Sequence, residues 1–368
     1  MNEKKKPGKG KLISHIILKH VGRLLLLVLT VLIVGVVAIY LMLQQACHGP
    51  SPAAKNLFTT TILETGAFKW TARLLMTEEE INEVLQSNVL ESLDVEIDSS
   101  LITVAANSGE SEQSGEGAEE EFDINGITVE RISGRTFEAT MMIINDPSRI
   151  SLQTNAPDWE ITDLDDLVEK ADAIGGVNGG IYDQNAIKPY YLAVSRGEVV
   201  FCESAYKDLY IIGFDEDNIL RIIPTGDIHA SMVEKLVEEN HIRDATVFTE
   251  SFDPTVSHFV QLVINGVPRE TNGFGSGCNP RTAIGQRADG AVLLLVTDGR
   301  GANGHLGATA KDLVDIMVEY GAVNAANLDG GGSSAMYYDG EYLMTSTTLY
   351  YPNSSYKIPT AFVIEKRD

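Results

Sequence analysis

The sequence predicts an α+β fold: a domain with a mixed β-sheet and packed helices, preceded by one transmembrane helix and a short stalk. Two observations support this. One long uncharged apolar run lies near the N-terminus, and beyond residue 122 many short β-type runs alternate with only three amphipathic helical segments. Such a mixture of short strands with few helices is typical of a compact α+β domain with its own core.

The apolar run covers residues 24–43, which carry no charge. A helix of that length spans about 30 Å, the thickness of one bilayer core. Seven Lys or Arg residues lie in 1–23, so the positive-inside rule predicts a cytoplasmic basic tail and an extracellular main domain. One alternative is a cleaved signal peptide, although its apolar core is normally shorter. Another is a lipoprotein acylated at Cys47, but the residues before Cys47 match such a site poorly. We therefore expect a single-pass protein of the cell membrane.

Three regions follow the membrane segment. Residues 44–105 are predicted to be a juxtamembrane stalk, with one amphipathic helix that begins in a capping box at Thr77. Residues 106–121 contain six Glu, three Ser and three Gly, a composition that predicts a flexible acidic linker. The main domain is then expected over 122–368.

Charge limits the classes of ligand. The net charge is −24, and beyond residue 23 there are 21 basic and 51 acidic residues. Such a field repels nucleic acid, and an anionic ligand would need a local cationic pocket. The pairing of Cys202 with Cys278 is left open, because spacing alone does not distinguish a disulfide from two free thiols.

The predicted elements of the main domain follow its apolar pattern. Helices are expected over 163–172, 229–240 and 310–320. β-type runs cover 127–132, 137–144, 192–194, 199–201, 209–214, 259–264, 291–297 and 362–364.

The last helix lies between the apolar runs 291–297 and 323–328. A strand, helix and strand of these lengths predict a right-handed crossover that joins parallel strands. Asp298 and Asp329 follow the two strands, so both carboxylates are expected at the same sheet edge, where open sheets bind ligands. Two carboxylates suit acid–base attack at an anomeric carbon. Because Asp is also a common turn residue, a structural role for either one stays open.

Three glycine-rich segments are predicted to be loops that approach a ligand. The segment 298–307 has four glycines and contains Arg300 and His305. The segment 329–334 is expected to expose several backbone N–H groups as an anion cradle. The third segment, 175–183, brackets an amide and ends on a carboxylate. The predicted ligand-binding residues of these segments are Arg300 and His305 in the first, Gly330, Gly331, Gly332 and Ser333 in the second, and Asn178, Gly179 and Asp183 in the third.

A cation is expected from Arg281, which directly precedes an apolar strand. In so acidic a domain it is a candidate phosphate clamp, because guanidinium binds phosphate oxygens in a bidentate manner. A salt bridge to a neighbouring acid is the alternative. The sequence has neither the nucleophile-elbow serine of serine hydrolases nor the His-Glu pattern of zinc peptidases.

Four segments, in this order, resemble the phosphodiester glycosidase family: GGVNGGIYD (175–183), NPRTAIGQ (279–286), DGRGANGHLGAT (298–309) and NLDGGGSSAM (327–336). The resemblance covers about residues 122–368 and excludes the membrane segment and the stalk. It implies hydrolysis of a sugar–phosphate diester at the anomeric carbon. It also implies roles for residues of these motifs: Asn178 and Asp183 bind the sugar, Arg281 and Thr282 hold the phosphate, and Asp298 and Asp329 are the acid–base candidates, assisted by the loop 330–333.

One departure concerns Lys357. Family members similar to this chain carry an Arg-containing stretch before the final strand, where this chain reads SSYKIPT (354–360). A lysine keeps the charge but loses the bidentate geometry, so the resemblance leaves the phosphate contact at this point open.

Three functions follow from these observations. The first is an extracellular hydrolase that needs no cofactor and acts on a glycan substrate linked through phosphodiesters, such as exopolysaccharide or a teichoic-type polymer. The second is a non-catalytic module that binds carbohydrate or assists polysaccharide assembly. The third is a metal-dependent phosphodiesterase in which Asp183, Asp298 and Asp329 ligate Ca²⁺ or Mg²⁺. No nucleic-acid partner is expected, and the oligomeric state is not predicted.

Overall fold

The computed structural model describes most of the chain. The acidic linker predicted at 106–121 lies outside the described residues, as does the predicted start of the second helix at His229. The described residues are 9–65, 69–93, 95–104, 123–183, 185, 187–203, 208–226, 230–251, 258–346 and 357–367.

Within these residues the chain forms helices at the N-terminus and an α+β domain beyond residue 123. The helices are α1 (Lys9–His48), α2 (Pro52–Glu64), α3 (Lys69–Leu75), α4 (Glu78–Gln86), α5 (Leu164–Lys170), α6 (Ala230–Glu239) and α7 (Ala310–Glu319). The strands are β1 (Ile127–Ser133), β2 (Glu138–Ile144), β3 (Ile150–Thr154), β4 (Ala173–Asn178), β5 (Leu192–Ser195), β6 (Glu198–Cys202), β7 (Leu209–Asp215), β8 (Leu220–Pro224), β9 (Ile242–Thr249), β10 (Gln261–Ile264), β11 (Val267–Pro268), β12 (Thr282–Arg287), β13 (Val292–Thr297), β14 (Ala322–Asn327), β15 (Ala335–Tyr338), β16 (Glu341–Thr345) and β17 (Thr360–Glu365).

The strands form three sheets. The largest has the order β1-β2-β13-β12-β14-β10-β11, and the other two have the orders β16-β15-β4-β17-β3 and β6-β5-β9-β7-β8. The predicted α+β class is confirmed, and α5, α6 and α7 occupy the three predicted helical segments. Each pairing recorded among the described strands is antiparallel.

One apolar core is shared by all three sheets. Alternate side chains of a strand point to opposite faces, and in β13 this places Leu294 and Val296 in the shared core, with Leu293 and Leu295 against α7. Helices α5 and α6 cover the outer faces of the other two sheets in the same way. Each sheet therefore buries both faces, which explains the continuous apolar runs in the sequence.

The predicted crossover is only partly right. Strands β13 and β14 run in the same direction, but β12 lies between them and is antiparallel to both. Asp298 and Asp329 follow the ends of these strands at one edge, as expected. They follow strands that are two spacings apart, a separation of roughly 10 Å.

The first half of the glycine-rich segment 175–183 is a strand. Residues 175–178 lie in β4, in the middle of the second sheet, where a Cβ on Gly175 would be 2.6 Å from the Tyr337 carbonyl oxygen. A Cβ on Gly176 would be 2.4 Å from the Phe362 carbonyl oxygen. These two glycines permit close strand packing, so their prediction as part of a ligand-binding loop was wrong.

The predicted stalk is folded onto the main domain. Helices α2–α4 and the end of α1 share a small apolar cluster around Cys47, Leu63 and Val84. The Asn88 side chain accepts a hydrogen bond from the Phe274 N–H over 3.0 Å, and Leu90 forms a β-bridge with Thr271. By length and composition, α1 is long and apolar enough to cross a membrane.

The three cysteines carry free thiols, so the open question of a disulfide between Cys202 and Cys278 is answered against pairing. Cys278 is buried beneath α2, where its N–H donates to the Thr61 hydroxyl over 3.0 Å. Helices α2–α4 therefore contact the main domain without a disulfide between them.

Candidate active site

An open pocket of about 240 Å³ lies at the edge of the large sheet where β13 and β14 end. It is lined by residues of the predicted loops and by residues of helices α2 and α3. Five predicted site residues line it: Arg281, Arg300, Asp329, Gly330 and Gly331. The other lining residues are Glu64, Lys69, Phe248, His258 and Asn279.

Asp329 is the carboxylate of this pocket. Its Oδ2 accepts a hydrogen bond from the Ser333 hydroxyl over 2.6 Å, and its Oδ1 accepts one from the Gly330 N–H over 3.0 Å. The Tyr182 hydroxyl lies 2.8 Å from the Ser333 hydroxyl oxygen. Burial raises the pKa of Asp329 to about 6, although these two hydrogen bonds and the charge of Arg300 lower it. A carboxyl pKa of about 6 lies in the range that suits a general acid or base.

The glycine loop 330–332 holds this carboxylate and does not form an open anion cradle. The Gly330 N–H donates to Asp329, and the Gly331 N–H donates to the Pro280 carbonyl over 2.7 Å. The Gly332 carbonyl accepts from the Ser346 hydroxyl. The predicted cradle was wrong because the N–H groups of Gly330 and Gly331 already donate to the Asp329 carboxylate and to the Pro280 carbonyl.

Arg300 reaches the pocket across the glycine loop. A Cβ on Gly331, which has a φ of +64°, would lie 2.5 Å from the Arg300 Nη2 atom. Gly331 therefore makes room for the guanidinium, which acts electrostatically on Asp329.

Arg281 forms the buried wall of the pocket. Its side chain is 5% exposed and donates to the Ser276 hydroxyl over 3.1 Å and to the Gly277 carbonyl over 3.0 Å. It also forms an ion pair with Glu64 over 3.4 Å. Burial lowers the pKa of Arg281, and the charge of Glu64 opposes this shift. The cation is thus part of the pocket, and the alternative of a salt bridge is realised as well.

Asn178 and Thr282 lie beneath the pocket and do not line it. The Asn178 side chain donates to the Asp329 carbonyl over 2.7 Å and accepts from the Thr282 hydroxyl over 2.7 Å. Both side chains are buried. They connect the end of β4 to the start of β12 and to the residues that follow β14. This geometry assigns them to positioning the backbone around Asp329.

Gly179 and Asp183 lie in the turn that follows β4. A Cβ on Gly179 would be 2.4 Å from the Thr360 hydroxyl oxygen, so this glycine permits close packing. The Asp183 carboxylate accepts hydrogen bonds from the N–H groups of Ile187 and Lys188. It orders its own loop and does not line the pocket.

Asp298 does not share the pocket with Asp329. It is buried, accepts a hydrogen bond from the Glu138 N–H over 2.8 Å, and contacts His305 Nδ1 over 2.6 Å. The hydrogen bond to Asp298 raises the pKa of His305. This pair closes the loop that carries Arg300, so the expectation of two carboxylates facing one substrate is not met.

We expect Asp298→Asn to lower the pKa of His305 towards its ordinary value of about 6.5, because the negative partner is removed. An Asn side chain can still accept from the Glu138 N–H, so the domain should remain folded. Histidine NMR titration of the variant measures this shift, with a His305→Gln spectrum to assign the signal. An unchanged His305 titration would contradict the pairing.

Apart from Asn279, which lies in the motif 279–286 but was given no role, four lining residues were not predicted from the sequence: Glu64, Lys69, Phe248 and His258. His258 packs against the Phe248 ring at 5.5 Å between centroids. Burial lowers its pKa, and the charge of Arg281 adds to the effect. These residues lie in segments without a motif, and only the packing of α2 onto the domain brings Glu64 to this pocket.

The three aspartates of the metal hypothesis are not gathered. Among the described residues, the acidic cluster with metal-ligand spacing consists of Asp163, Asp165 and Asp166, at the start of α5. Lys357 forms an ion pair with Asp163 there and does not line the pocket. The arrangement proposed for Asp183, Asp298 and Asp329 was therefore wrong, and Lys357 supplies no phosphate contact in the pocket.

The solved structures to which this chain is similar have low sequence identity to it. The zebrafish N-acetylglucosamine-1-phosphodiester alpha-N-acetylglucosaminidase catalytic domain, auto-inhibited by its pro-peptide, is 17% identical, with a TM-score of 0.49 over 66% of this chain and 82% of that one. A hypothetical protein from Synechocystis is 17% identical, with a TM-score of 0.41 over 66% of this chain and 62% of that one.

The sequence itself matches more specifically. The SPbeta prophage-derived uncharacterized protein YomE of Bacillus subtilis (strain 168) is 43% identical over 65 residues, which are 18% of this chain and 10% of that protein. The match thus spans a tenth of that relative's length. The phosphodiester glycosidase family model matches residues 171–365, more than half of the chain, and includes all four motifs. This confirms the resemblance seen in the sequence: the chain belongs to the phosphodiester glycosidase family.

Proposed function

We propose that this protein hydrolyses the glycosidic bond of sugar-1-phosphodiesters. The observation that carries the proposal is the pocket in which Asp329, with a pKa raised to about 6, lies beside the guanidinium groups of Arg281 and Arg300. Membership of the phosphodiester glycosidase family supports the reaction class.

The charges of the pocket favour an anionic substrate. Beyond residue 23 the chain has 51 acidic and 21 basic residues, so a diester would be repelled from most of its surface. In the pocket, Arg281, Arg300 and Lys69 supply three cations, which outnumber the two carboxylates of Glu64 and Asp329. Guanidinium groups bind phosphate oxygens in a bidentate manner, which orients the diester as well as attracting it.

The proposed reaction uses Asp329 as general base. A water molecule attacks the anomeric carbon and gives its proton to the Asp329 carboxylate while the bond from that carbon to the phosphate oxygen breaks. The electron pair leaves with the phosphomonoester, whose charge Arg281 and Arg300 stabilise. A phosphate leaving group needs little protonation, so one carboxylate in the pocket suffices. The Ser333 hydroxyl fixes the orientation of Asp329.

The proposed location of the main domain is based on helix α1 and the basic residues that precede it. Helix α1 has the length and composition of a membrane span, and seven Lys or Arg residues precede residue 24. We propose that this tail is cytoplasmic and that the main domain acts outside the cell, on a surface polysaccharide or a related glycan.

The test is to incubate the full-length chain in membranes with a panel of sugar-1-phosphodiesters in ¹⁸O-labelled water. We expect free sugar and phosphomonoester in equal amounts, with no label in the phosphate, because the bond to carbon is the one that breaks. Activity should persist in EDTA. Intact cells should cleave a substrate that cannot cross the membrane.

Other results would select other functions. Label in the phosphate, or loss of activity in EDTA, would indicate a phosphodiesterase that uses a metal. Glycan binding without any product on long incubation would indicate a carbohydrate-binding or polysaccharide-assembly protein. Activity seen only after cell lysis would contradict the proposed location.

A further inference from the structure

We propose that the membrane-proximal helix α2 is part of the active site, and that its Glu64 is the positioning residue for Arg281. This inference rests on the proposed function, because it assigns Arg281 to the phosphate of the substrate. Residues 51–104 are then a component of the enzyme and not only a stalk.

Glu64 makes three polar contacts with the edge of the pocket. Its Oε1 accepts from the Gly277 N–H over 2.5 Å, and its Oε2 accepts from the Asn279 side-chain amide over 3.0 Å. The same Oε2 lies 3.4 Å from Arg281 Nη2. The carboxylate therefore connects the loop 276–279 to the cation at the start of β12.

The burial of this ion pair makes Glu64 important for the position of the charged Arg281 side chain. The Arg281 side chain is 5% exposed and the Glu64 side chain is 4% exposed. Removing one partner of a buried pair leaves an uncompensated charge, which drives rearrangement of the partner. The Arg281 guanidinium also donates to neutral groups, namely the Ser276 hydroxyl and the Gly277 and Ala308 carbonyl groups. Without Glu64, we expect Arg281 to move from its present position.

The loop is shaped to fit α2. A Cβ on Gly277 would lie 2.6 Å from the Thr61 Cα atom, so a glycine is required for the helix to approach this closely. The Thr61 hydroxyl accepts from the Cys278 N–H over 3.0 Å. Further along the chain, Asn88 and Leu90 bind the segment 271–274. Such fitted packing at several points indicates a permanent contact.

The same contacts raise the question of whether Glu64 competes with the substrate for Arg281. A carboxylate that receives three donors resembles a bound anion. However, the pocket beside it, lined by Arg300, Lys69 and Asp329, stays open. A phosphate there can contact Arg300 and Lys69, and also Arg281 where it lines the pocket, while Glu64 keeps its place. We therefore assign Glu64 to supporting the site.

The experiment compares variants of the full-length chain in membranes. Glu64→Ala should lower kcat/KM for a sugar-1-phosphodiester by about 100-fold, the scale of a displacement of about 1 Å in a catalytic group. The loss should appear mainly in KM, together with weaker inhibition by inorganic phosphate. Glu64→Gln, which keeps the shape of the side chain, should fall between Glu64→Ala and the unaltered protein. Glu64→Asp should restore part of the phosphate inhibition.

Glu79→Gln is the matched control, because Glu79 is an exposed acid on α4 and should leave kcat, KM and phosphate inhibition unchanged. Melting temperatures identify variants that fail to fold, and Glu64→Gln then carries the comparison. If Glu64→Ala and Glu64→Gln are as active as the unaltered protein or more active, the inference is wrong, and higher activity would show that Glu64 competes with substrate. An unaltered protein that cleaves no diester would instead refute the proposed function.

Discussion

Asp329→Asn is expected to lower kcat for a sugar-1-phosphodiester by about 1,000-fold, the usual contribution of a general base. In the unaltered protein, kcat/KM should rise with pH through about 6, because the carboxylate form of Asp329 accepts the proton of water. The residual activity of the variant should lose this acid limb. Initial rates of sugar release between pH 4 and 8 measure both effects.

The same variant should not be less stable. Burial raises the pKa of Asp329 from its ordinary value of 3.8 to about 6, so between these pH values the folded state binds more protons than the unfolded state. Stability therefore falls as pH rises through this interval, by at most about 3 kcal/mol. An uncharged Asn avoids this cost above pH 6.

At pH 8 the melting temperature of Asp329→Asn should equal or exceed that of the unaltered protein. Asp315→Asn, an exposed acid of α7 that pairs with Lys311, is the control and should keep full activity. Undiminished turnover of Asp329→Asn would remove Asp329 from the mechanism.

Arg300→Ala is expected to raise KM by about 30-fold, which corresponds to the loss of one charged hydrogen bond to the phosphate. It should also move the acid limb of kcat/KM to higher pH, because the positive charge of Arg300 lowers the pKa of Asp329. The pH dependence of kcat/KM and the KM at pH 8 test these two effects separately.

Arg300→Lys is the matched variant. It keeps the charge and should leave the acid limb near its original pH, but it loses the bidentate geometry and should still raise KM. If Arg300→Ala changes neither KM nor the pH dependence, the guanidinium beside Gly331 does not contact the substrate.

Much of the fold could be predicted because apolar periodicity is a local property. The segments of α5, α6 and α7 follow the helical pattern, and the strongest β-type runs became β2, β7 and β13. Strand β4 was read as a loop, because Gly175 and Gly176 have the composition of a loop. Glycine is required at these two positions because Tyr337 and Phe362, which are far away in the sequence, approach them closely.

The residues of the candidate site were likewise predictable only where their signal is local in the sequence. Motifs identified Arg281, Arg300 and Asp329, because charged residues directly before an apolar strand, or beside glycines after one, are visible in the sequence. The roles of Asp298 and Thr282 were not visible, because a hydrogen-bond partner such as His305 or Asn178 is chosen by packing.

By itself, the sequence determined the α+β class, the apolar N-terminal helix and the family, since each depends on residue order and local pattern. The tertiary structure decided which charges meet. It placed β12 between β13 and β14, separated Asp298 from the pocket of Asp329, and brought Glu64 to Arg281 across more than 200 residues. The physical reason is that burial, which sets the pKa of Asp329 and the pairing of Arg281, depends on contacts between distant segments.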